Sequence, residues 1–400
     1  MFFHDLPLAP PDAILGLTEA FRADTRSPKA NLGVGVFMDD SGRTPVLASV
    51  KAAERQLLDE ETSKSYLPIV GHPGFAEALV PFLFGEGFLA ATGHVPSVVQ
   101  SLGGTGALRL GAALLRRFRP GARVWLPDPT WGNHRAIFRA AGLDLREYPY
   151  YSGDLKAIDA EALLTTLAGV PATDVVLLHS CCHNPTGADP DPNLWSRIAA
   201  LAAKKGWLPF FDFAYQGFGD GIEEDRQGML AVLKVVPEAI VASSFSKNMG
   251  LYSERVGALT ILAGTAKVSE AVLSQLKRLV REIYSNAQRH GGAIALKLLT
   301  DPVLRAQWLG ELTAMRTRIA SNRAALVAGL SERCSSTDFG YLLRQKGMFS
   351  YSGLSGNQVA WLREEKAVYL VAGGRINVAG LLPNTLPYVC DSFVEALRQA

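Results

Sequence analysis

Residues 175–187, VVLLHSCCHNPTG, join an unbroken apolar run to a turn. We predict a strand at Val175–Cys182, because consecutive apolar residues are typical of a strand that is covered on both faces of a sheet. Pro185 and Gly187 predict a turn at the carboxyl end of this strand, which is where open α/β sheets bind their ligands. The segment therefore predicts a buried sheet, with a ligand-binding site at the carboxyl ends of its strands.

Further apolar runs alternate with segments of helical periodicity on both sides of this stretch. Strands are predicted at Arg123–Pro127, Trp207–Phe213, Ile240–Phe245 and Val256–Leu262, and helices at Ser49–Glu61, Thr105–Phe118 and Asn193–Lys205. This alternation predicts an α/β fold with a mainly parallel sheet.

A second, smaller α+β domain is predicted toward the C-terminus. A long helix begins at Asp301-Pro302, an N-cap residue followed by a proline, and its apolar stripe continues to Leu330. Short elements follow it, with strands at Gly347–Leu354, Ala367–Val371 and Arg375–Leu381 and a helix at Gly356–Glu365. We expect an N-terminal arm and small-domain segment at 1–45, a large domain at 46–305, and a small domain at 306–400 that the long helix reaches.

Composition and charge exclude several classes of protein. With 48% hydrophobic and 20% charged residues, the 400-residue chain is not intrinsically disordered. A net charge of +2 is too balanced for a protein that mainly binds nucleic acid or an anionic membrane surface. No apolar run approaches the ~18 residues of a membrane helix, and the N-terminus does not resemble a signal peptide. We therefore expect a cytoplasmic protein with neither nucleic-acid nor membrane partners.

The cysteines predict neither a disulfide framework nor a metal site. Cys181, Cys182, Cys334 and Cys390 form no paired motif. Cys181, Cys182 and His183 are consecutive, and they make a poor chelate because neighbouring strand residues point to opposite faces.

Glycines at the head of a predicted helix suggest a site for an anion. Residues 101–107, SLGGTGA, place Gly104 and Thr105 where backbone N–H groups can bind a phosphate. A tight turn before a buried helix is the simpler interpretation. Ser244, Ser246 and Arg255 could supply further donors of the kind that a phosphate monoester needs.

A carboxylate in an apolar strand requires a cationic partner. Asp212 lies within WLPFFDF (207–213), where an unpaired charge is costly. Its partner is either a structural salt bridge or a positively charged ring nitrogen of a ligand. Tyr215 could present its hydroxyl to the same ligand, and Asn184 either points its amide into the crevice or belongs to a plain turn.

Two basic residues could be reactive or could simply lie on the surface. Lys247 follows an apolar strand in SFSKN, and a desolvated lysine of this kind can form a Schiff base. Arg375 opens a strand in a glycine-rich setting, where a guanidinium can bind a carboxylate through two hydrogen bonds. Taken together, the clusters describe a site for pyridoxal 5′-phosphate (PLP), the cofactor that acts as an electron sink.

These motifs identify a resemblance to the fold-type I, class I aminotransferases of the aspartate and aromatic group. It extends from NLGVGV (31–36) to RINVAG (375–380), and within the group several motifs are most similar to bacterial aromatic aminotransferases. Those motifs are GGTGAL, DPTWGNH, LLHSCCHNPTG, FDFAYQGF, SFSKN, LYSERVG and YLLRQKGMFSYSGL. The resemblance implies a large domain with a mostly parallel seven-stranded sheet, PLP as cofactor, and a homodimer with shared active sites.

The resemblance also implies roles for individual residues. At the cofactor, Lys247 bonds covalently and moves the proton, Asp212 holds the ring nitrogen with His134 and His179 behind it, and Tyr215 and Asn184 bind the ring hydroxyl. The phosphate is bound by Gly104, Thr105, Ser244, Ser246 and Arg255, and by Tyr66 reaching over from the neighbouring subunit. At the substrate, Arg375 binds the α-carboxylate with Asn184 and Gly35, Trp131 stacks on the ring, Arg281 of the neighbouring subunit meets a distal carboxylate, and Ile14 and Leu15 close over the site.

The implied activity is transamination by a ping-pong route via pyridoxamine phosphate. The amino donor would be an aromatic (Phe, Tyr, Trp) or dicarboxylic (Asp, Glu) L-amino acid, and the acceptor a 2-oxo acid such as 2-oxoglutarate. A narrow aspartate aminotransferase is the alternative, and a PLP β-lyase or decarboxylase is more distant. A PLP-sensing regulatory module would need a DNA-binding domain, for which residues 1–45 are too short and too rich in proline and glycine.

One loop departs from the family pattern. Relatives usually have two prolines and then a small residue after the YSN motif, whereas this chain has Ala287, Gln288 and Arg289 there. Because paired prolines stiffen a loop, we expect a looser loop with an added charge near the subunit interface. Side-chain specificity is the property that this change would affect.

Overall fold

The computed structural model describes residues 2–9 and 15–399, and a seven-stranded sheet forms its centre. The strands are β1 Val95–Leu102, β2 Arg123–Asp128, β3 Asp144–Pro149, β4 Val175–His179, β5 Leu208–Phe213, β6 Ala239–Ser244 and β7 Val256–Ala263. Their order across the sheet is β1-β7-β6-β5-β4-β2-β3. Strand β7 is antiparallel to both of its neighbours, and the other adjacent pairs are parallel. The predicted α/β fold with a mostly parallel sheet is confirmed.

Helices cover both faces of this sheet. The helices of the described chain, including those outside the sheet, are α1 Leu15–Ala23, α2 Ala48–Glu60, α3 Phe75–Phe84, α4 Phe88–Thr92, α5 Gly103–Phe118, α6 Gly132–Ala140, α7 Ala160–Ala168, α8 Pro192–Lys205, α9 Gln227–Leu233, α10 Ala266–Ile283, α11 His290–Thr300, α12 Pro302–Arg333, α13 Gly356–Lys366 and α14 Leu386–Ala396. Phe210 and Phe211 of β5 are both fully buried, in separate hydrophobic clusters on opposite faces. Strand β5 is therefore enclosed from both sides, as its unbroken apolar sequence predicts.

The C-terminal part of the chain is built around the long helix α12 and short strand pairs. Phe349–Tyr351 pairs antiparallel with Arg375–Asn377, and Ala30–Asn31 pairs parallel with Val368–Tyr369. A further two-stranded sheet joins Tyr151–Ser152 to Ala157–Ile158. The N-terminal segment is thus hydrogen-bonded to the C-terminal part of the chain. The domain limits of 1–45, 46–305 and 306–400 stay predictions.

Several local predictions were wrong. Strand β1 was missed because Ser97, Gln100 and Ser101 interrupt its apolar pattern, although all three side chains are buried. Strand β3 lies at the edge of the sheet and is largely charged, so it lacks the unbroken apolar signature. Helix α1 lies within segment 1–45, in which no helix was predicted.

Several predicted strands end early, including the following two. The strand predicted to reach Cys182 ends at His179, because Cys182 has a left-handed φ of 51° and turns the chain. The strand predicted at Arg375–Leu381 ends at Asn377 and continues as a short 3₁₀ turn. Among the described residues, no helix is both long and apolar enough to span a membrane.

Trp308 joins the long helix α12 to the segment that follows strand β6. Its side chain is fully buried, and its ring centroid lies 5.7 Å from that of Phe82. The indole Nε1 donates a 2.7 Å hydrogen bond to the backbone oxygen of Asn248, the residue after Lys247. Helix α12 therefore holds the segment that follows β6.

Replacing Trp308 with phenylalanine should lower the free energy of unfolding by about 1–3 kcal/mol, because the buried carbonyl of Asn248 loses its donor. Urea denaturation monitored by circular dichroism measures the change. The exposed Gln307 on the same helix supplies the control, and Gln307→Ala should stay within about 0.5 kcal/mol. Equal stability of the two variants would show that the indole bond does not hold the helix.

Candidate active site

The carboxyl ends of the parallel strands open into a cavity of about 470 Å³. Most residues predicted for the site line it, namely Gly35, Gly104, Thr105, Trp131, Asn184, Asp212, Tyr215, Ser244, Ser246, Lys247, Arg255 and Arg375. They come from segments far apart in sequence; the sheet topology brings most of them together, while Gly35 and Arg375 come from outside the seven-stranded sheet. The cavity lies where an open α/β sheet is expected to bind its ligand.

Asp212 is an ionised carboxylate held by a histidine. Its Oδ2 lies 3.0 Å from Nε2 of His134, whose ring is fully buried. Since a carboxylate only accepts, Nε2 is the donor, and Nδ1 accepts from the hydroxyl of Thr130 at 2.8 Å. Burial alone would raise the pKa of Asp212, but the hydrogen bond from His134 and the nearby positive charge of Lys247 oppose it, so that the pKa is lowered.

His179 lies next to Asp212 in the sheet but has a different hydrogen-bond partner. Its Nδ1 accepts from the backbone N–H of Asn184 at 3.2 Å, and its ring centroid is 5.3 Å from that of His134. Burial lowers the pKa of His179 to about 3, so the ring is neutral. His179 thus links the Asn184 turn to the histidine that holds Asp212.

Lys247 places a primary amine in the lining of the cavity. Burial is the main cause that lowers its pKa to about 8; the negative charge of Asp212 opposes this shift, and the positive charges of Arg255 and Arg375 add to it. Its Nζ lies 5.2 Å from the ring centroid of Tyr215, a residue whose own pKa is raised by burial. A substantial fraction of the amine is therefore neutral and nucleophilic near physiological pH.

Small and hydroxyl residues form a cradle for an anion beside the first turn of α5. The hydroxyl of Ser244 donates to Ser246 at 3.0 Å, and Nη1 of Arg255 lies 3.4 Å from the Ser246 oxygen. Gly103 has a φ of 65°, and a Cβ there would lie 2.7 Å from the Arg255 guanidinium. The glycine is needed for this close approach, which leaves backbone N–H groups, hydroxyls and a cation around one space.

Arg375 is a buried cation whose described partners are neutral. Its side chain is 3% exposed, Nη1 donates to the side-chain oxygen of Asn184 at 3.2 Å, and Nη2 donates to the backbone oxygen of Gly33 at 2.6 Å. Its Nε has no partner among the described residues. Burial lowers the pKa of Arg375 to about 10, so it stays charged at neutral pH. A buried guanidinium with an unused donor is suited to bind an anion from the cavity.

Some predicted residues do not line the cavity of their own chain. The side chain of Tyr66 is 90% exposed, and Arg281 lies exposed on α10, where it donates to the hydroxyl of Ser285. Leu15 begins α1, while its side chain and the whole of Ile14 lie outside the described residues.

Three lining residues were missed, and the clearest of them is Phe349. Its ring centroid lies 4.3 Å from the guanidinium carbon of Arg375, and a Cβ on Gly35 would lie 2.9 Å from its Cζ. Phe349 is on the strand that pairs with Arg375–Asn377, a register that no single-sequence pattern gives. The others, Leu108 and Ala214, resemble ordinary core residues in sequence.

Replacing Asp212 with asparagine should lower the pKa of Lys247 below about 8, by roughly one pH unit, because the opposing negative charge is lost. Competitive acetylation of the cofactor-free protein across pH, read by mass spectrometry, gives the pKa. Asp220→Asn, which removes an exposed carboxylate paired with Lys346, should leave it unchanged. An unchanged or raised value in Asp212→Asn would contradict this electrostatic account.

Comparisons with known proteins agree with this geometry. An aspartate aminotransferase of Salmonella typhi is 49% identical over 99% of this chain and 100% of its own length. An aromatic-amino-acid aminotransferase of Pseudomonas aeruginosa is 45% identical over 99% of this chain and 98% of its own length.

Solved structures are similar over the full length as well. The aromatic-amino-acid aminotransferase of Burkholderia pseudomallei, solved covalently bound to pyridoxal phosphate, superposes with a TM-score of 0.96 at 42% identity, covering 100% of both chains. A family model, described as aminotransferase class I and II, matches residues 27–393. The chain belongs to the class I and II aminotransferase family.

Proposed function

We propose that this protein is a PLP-dependent transaminase that acts between an aromatic or dicarboxylic L-amino acid and a 2-oxo acid such as 2-oxoglutarate. The observation that carries the proposal is that one cavity contains Lys247, Asp212 and Arg375. A partly neutral amine, an ionised carboxylate and a buried cation are the groups that this chemistry needs at one place.

The residues that line the cavity suit the cofactor in charge and hydrogen bonding. Ser244, Ser246 and Arg255, with Gly104 and Thr105 on α5, would hold the phosphate in the anion cradle. The ring would then extend toward the remaining polar groups, with Asp212 at its nitrogen, Asn184 and Tyr215 at its hydroxyl, and Trp131 stacked on its face. When bound, PLP supplies an electrophilic aldehyde carbon and a cationic ring that withdraws electrons from the substrate Cα.

Lys247 both attaches the cofactor and moves the proton. Because its pKa is about 8, Nζ is neutral often enough to accept a proton from the substrate Cα and to donate it again within the same cavity. Asp212 stays ionised through the reaction because His134 lowers its pKa. It therefore supplies a fixed negative charge opposite a cationic ring nitrogen.

Arg375 places the substrate. Every amino acid and 2-oxo acid carries a carboxylate next to the reacting carbon, so a buried guanidinium can hold all of them in one orientation. Asn184 already accepts from Nη1, and Phe349 lies against the guanidinium. The bound carboxylate would replace neutral partners of Arg375 with a charged one.

A homodimer is part of the proposal, and so is a cytoplasmic location. Tyr66 and Arg281 lie outside the cavity of their own chain, so their proposed roles require a second copy to present them. Arg281 would meet the distal carboxylate of a dicarboxylic substrate, and its movement would admit an aromatic ring. The cysteines are all unpaired, as is usual for proteins of a reducing compartment.

A narrow aspartate aminotransferase is the second candidate, and the relatives of that name favour it. The first experiment is an absorbance titration of the PLP-loaded protein with phenylalanine or aspartate, without any oxo acid. We expect both to bleach the cofactor band, which identifies a half-reaction with each donor. Bleaching by aspartate alone would select the second candidate, and no cofactor band after addition of PLP would refute the proposed function. A Lys247→Ala variant that keeps full turnover would refute it too.

Substitutions of Arg375 and Arg281 should distinguish two kinds of recognition. Arg375 would bind the α-carboxylate that all substrates share, and Arg281 the distal carboxylate that only dicarboxylic substrates have. Arg375→Leu should lower kcat/KM for phenylalanine and aspartate alike, on the order of 100-fold or more, because both carry the α-carboxylate. Arg281→Leu should lower kcat/KM for aspartate by a similar factor and largely spare phenylalanine. Steady-state kinetics with 2-oxoglutarate measures both variants. Equal losses with both donors in Arg281→Leu would contradict its proposed contact with the distal carboxylate.

A further inference from the structure

The loop between α10 and α11 contacts two segments that the proposed function assigns to different active sites. It spans residues 284–289 and contains the three residues, Ala287 to Arg289, that depart from the family pattern. Tyr284 anchors the loop by donating to the backbone oxygen of Gln100 at 2.9 Å, and the side chain of Gln100 in turn donates to the backbone oxygen of Gln288 at 2.8 Å. The buried amide of Gln100 thus fixes the backbone from which Gln288 and Arg289 extend.

Gln288 contacts Arg255, a residue of the active site in its own chain. Its side-chain amide donates to the backbone oxygen of Arg255, the residue whose guanidinium lies at the anion cradle. Arg255 has a left-handed φ of 55°, which is unfavourable for a residue with a Cβ. The bond from Gln288 therefore stabilises the backbone conformation that directs Arg255 toward the phosphate position.

Arg289 acts on the segment that carries Tyr66. Its Nη2 donates to the backbone oxygen of Ser65 at 3.3 Å, and its Nε lies 3.7 Å from the carboxylate of Glu61. On the other side of Tyr66, Asn286 donates to the backbone oxygen of Leu67 at 3.1 Å. The loop therefore holds the backbone on both sides of Tyr66, whose side chain is left 90% exposed.

We infer that Gln288 and Arg289 are positioning residues for two different cofactor phosphates, Gln288 through Arg255 in its own subunit and Arg289 through Tyr66 in the neighbouring one. This inference rests on the proposed function, because Tyr66 reaches a second site only in a homodimer. The small residue that relatives usually have at position 289 would have no side chain able to donate to Ser65 or to pair with Glu61. In this chain the loop lacks the stiffening prolines, and Arg289 instead contacts the segment that carries Tyr66 directly.

Mixed dimers distinguish the two directions of action. Two chains with different tags are co-expressed, and one carries Lys247→Ala, so that only the other chain can bind PLP covalently and give the characteristic absorbance. Arg289→Ala is then placed on one chain or on the other, and the PLP dissociation constant of the intact site is measured by absorbance. We expect an increase of about three- to tenfold when Arg289→Ala is on the Lys247→Ala chain, and no change when it is on the chain with the intact lysine.

Gln288→Ala should show the opposite pattern, with weaker binding only when it is on the chain with the intact lysine. Arg305→Ala is the control, because Arg305, near the start of α12, likewise donates to a backbone oxygen, that of Leu299, but does not contact this loop. It should change nothing on either chain. In a Tyr66→Phe background, Arg289→Ala should have no additional effect, since it acts through Tyr66.

The outcomes separate this inference from the proposed function. If the wild-type protein binds no PLP, the proposed function fails. If it binds PLP but Arg289→Ala weakens binding on both chains equally, or on neither, the inference alone is overturned. A wild-type protein that binds PLP as a monomer would overturn the inference as well, and sedimentation of the holoenzyme measures this directly.

Discussion

An ionised carboxylate at the end of an apolar strand is the feature on which the rest of the site depends. Asp212 follows two fully buried phenylalanines, and a charge in such a place is unfavourable unless it is hydrogen-bonded and paired. His134 supplies the bond through Nε2, the nitrogen that must donate because a carboxylate can only accept. The same carboxylate limits how far burial can lower the pKa of Lys247. One negative charge therefore sets the orientation of an imidazole and the protonation of the reactive amine.

The cavity combines groups held in two different ways. Those at the end of the sheet follow strands that are hydrogen-bonded on both sides, such as β5 and β6, so their positions follow from the sheet itself. Arg375 instead belongs to a two-stranded pair in the C-terminal part of the chain, and it reaches the sheet through Asn184. The positions of Asp212 and Lys247 are thus fixed by the seven-stranded sheet. Arg375, which would hold the substrate, comes from the C-terminal strand pair instead.

Much of the fold and of the lining of the cavity follows from the sequence, for a physical reason. Asp212, Asn184 and Lys247 each stand directly after or within an unbroken apolar run, and parallel strands bring such positions to one edge. Strands β1 and β3 were missed because polar residues break their pattern. Phe349 could not be found, because its place depends on pairing with a distant strand. The roles of Tyr66 and Arg281 depend on a second chain, so they rest on resemblance alone.

The hydrogen bond from Arg375 to Gly33 joins residues 342 positions apart, and the neighbouring strand pair joins Ala30 to Val368. During synthesis, Gly33 leaves the ribosome long before Arg375 has been added. At about 5–20 residues per second, the interval is roughly 20–70 seconds. Throughout that time the strand at Ala30–Asn31 has no partner, and the cation at the substrate end of the cavity does not yet exist. A nascent chain can form the central sheet and its anion cradle early, but it can bind a substrate carboxylate only after Arg375 has been added.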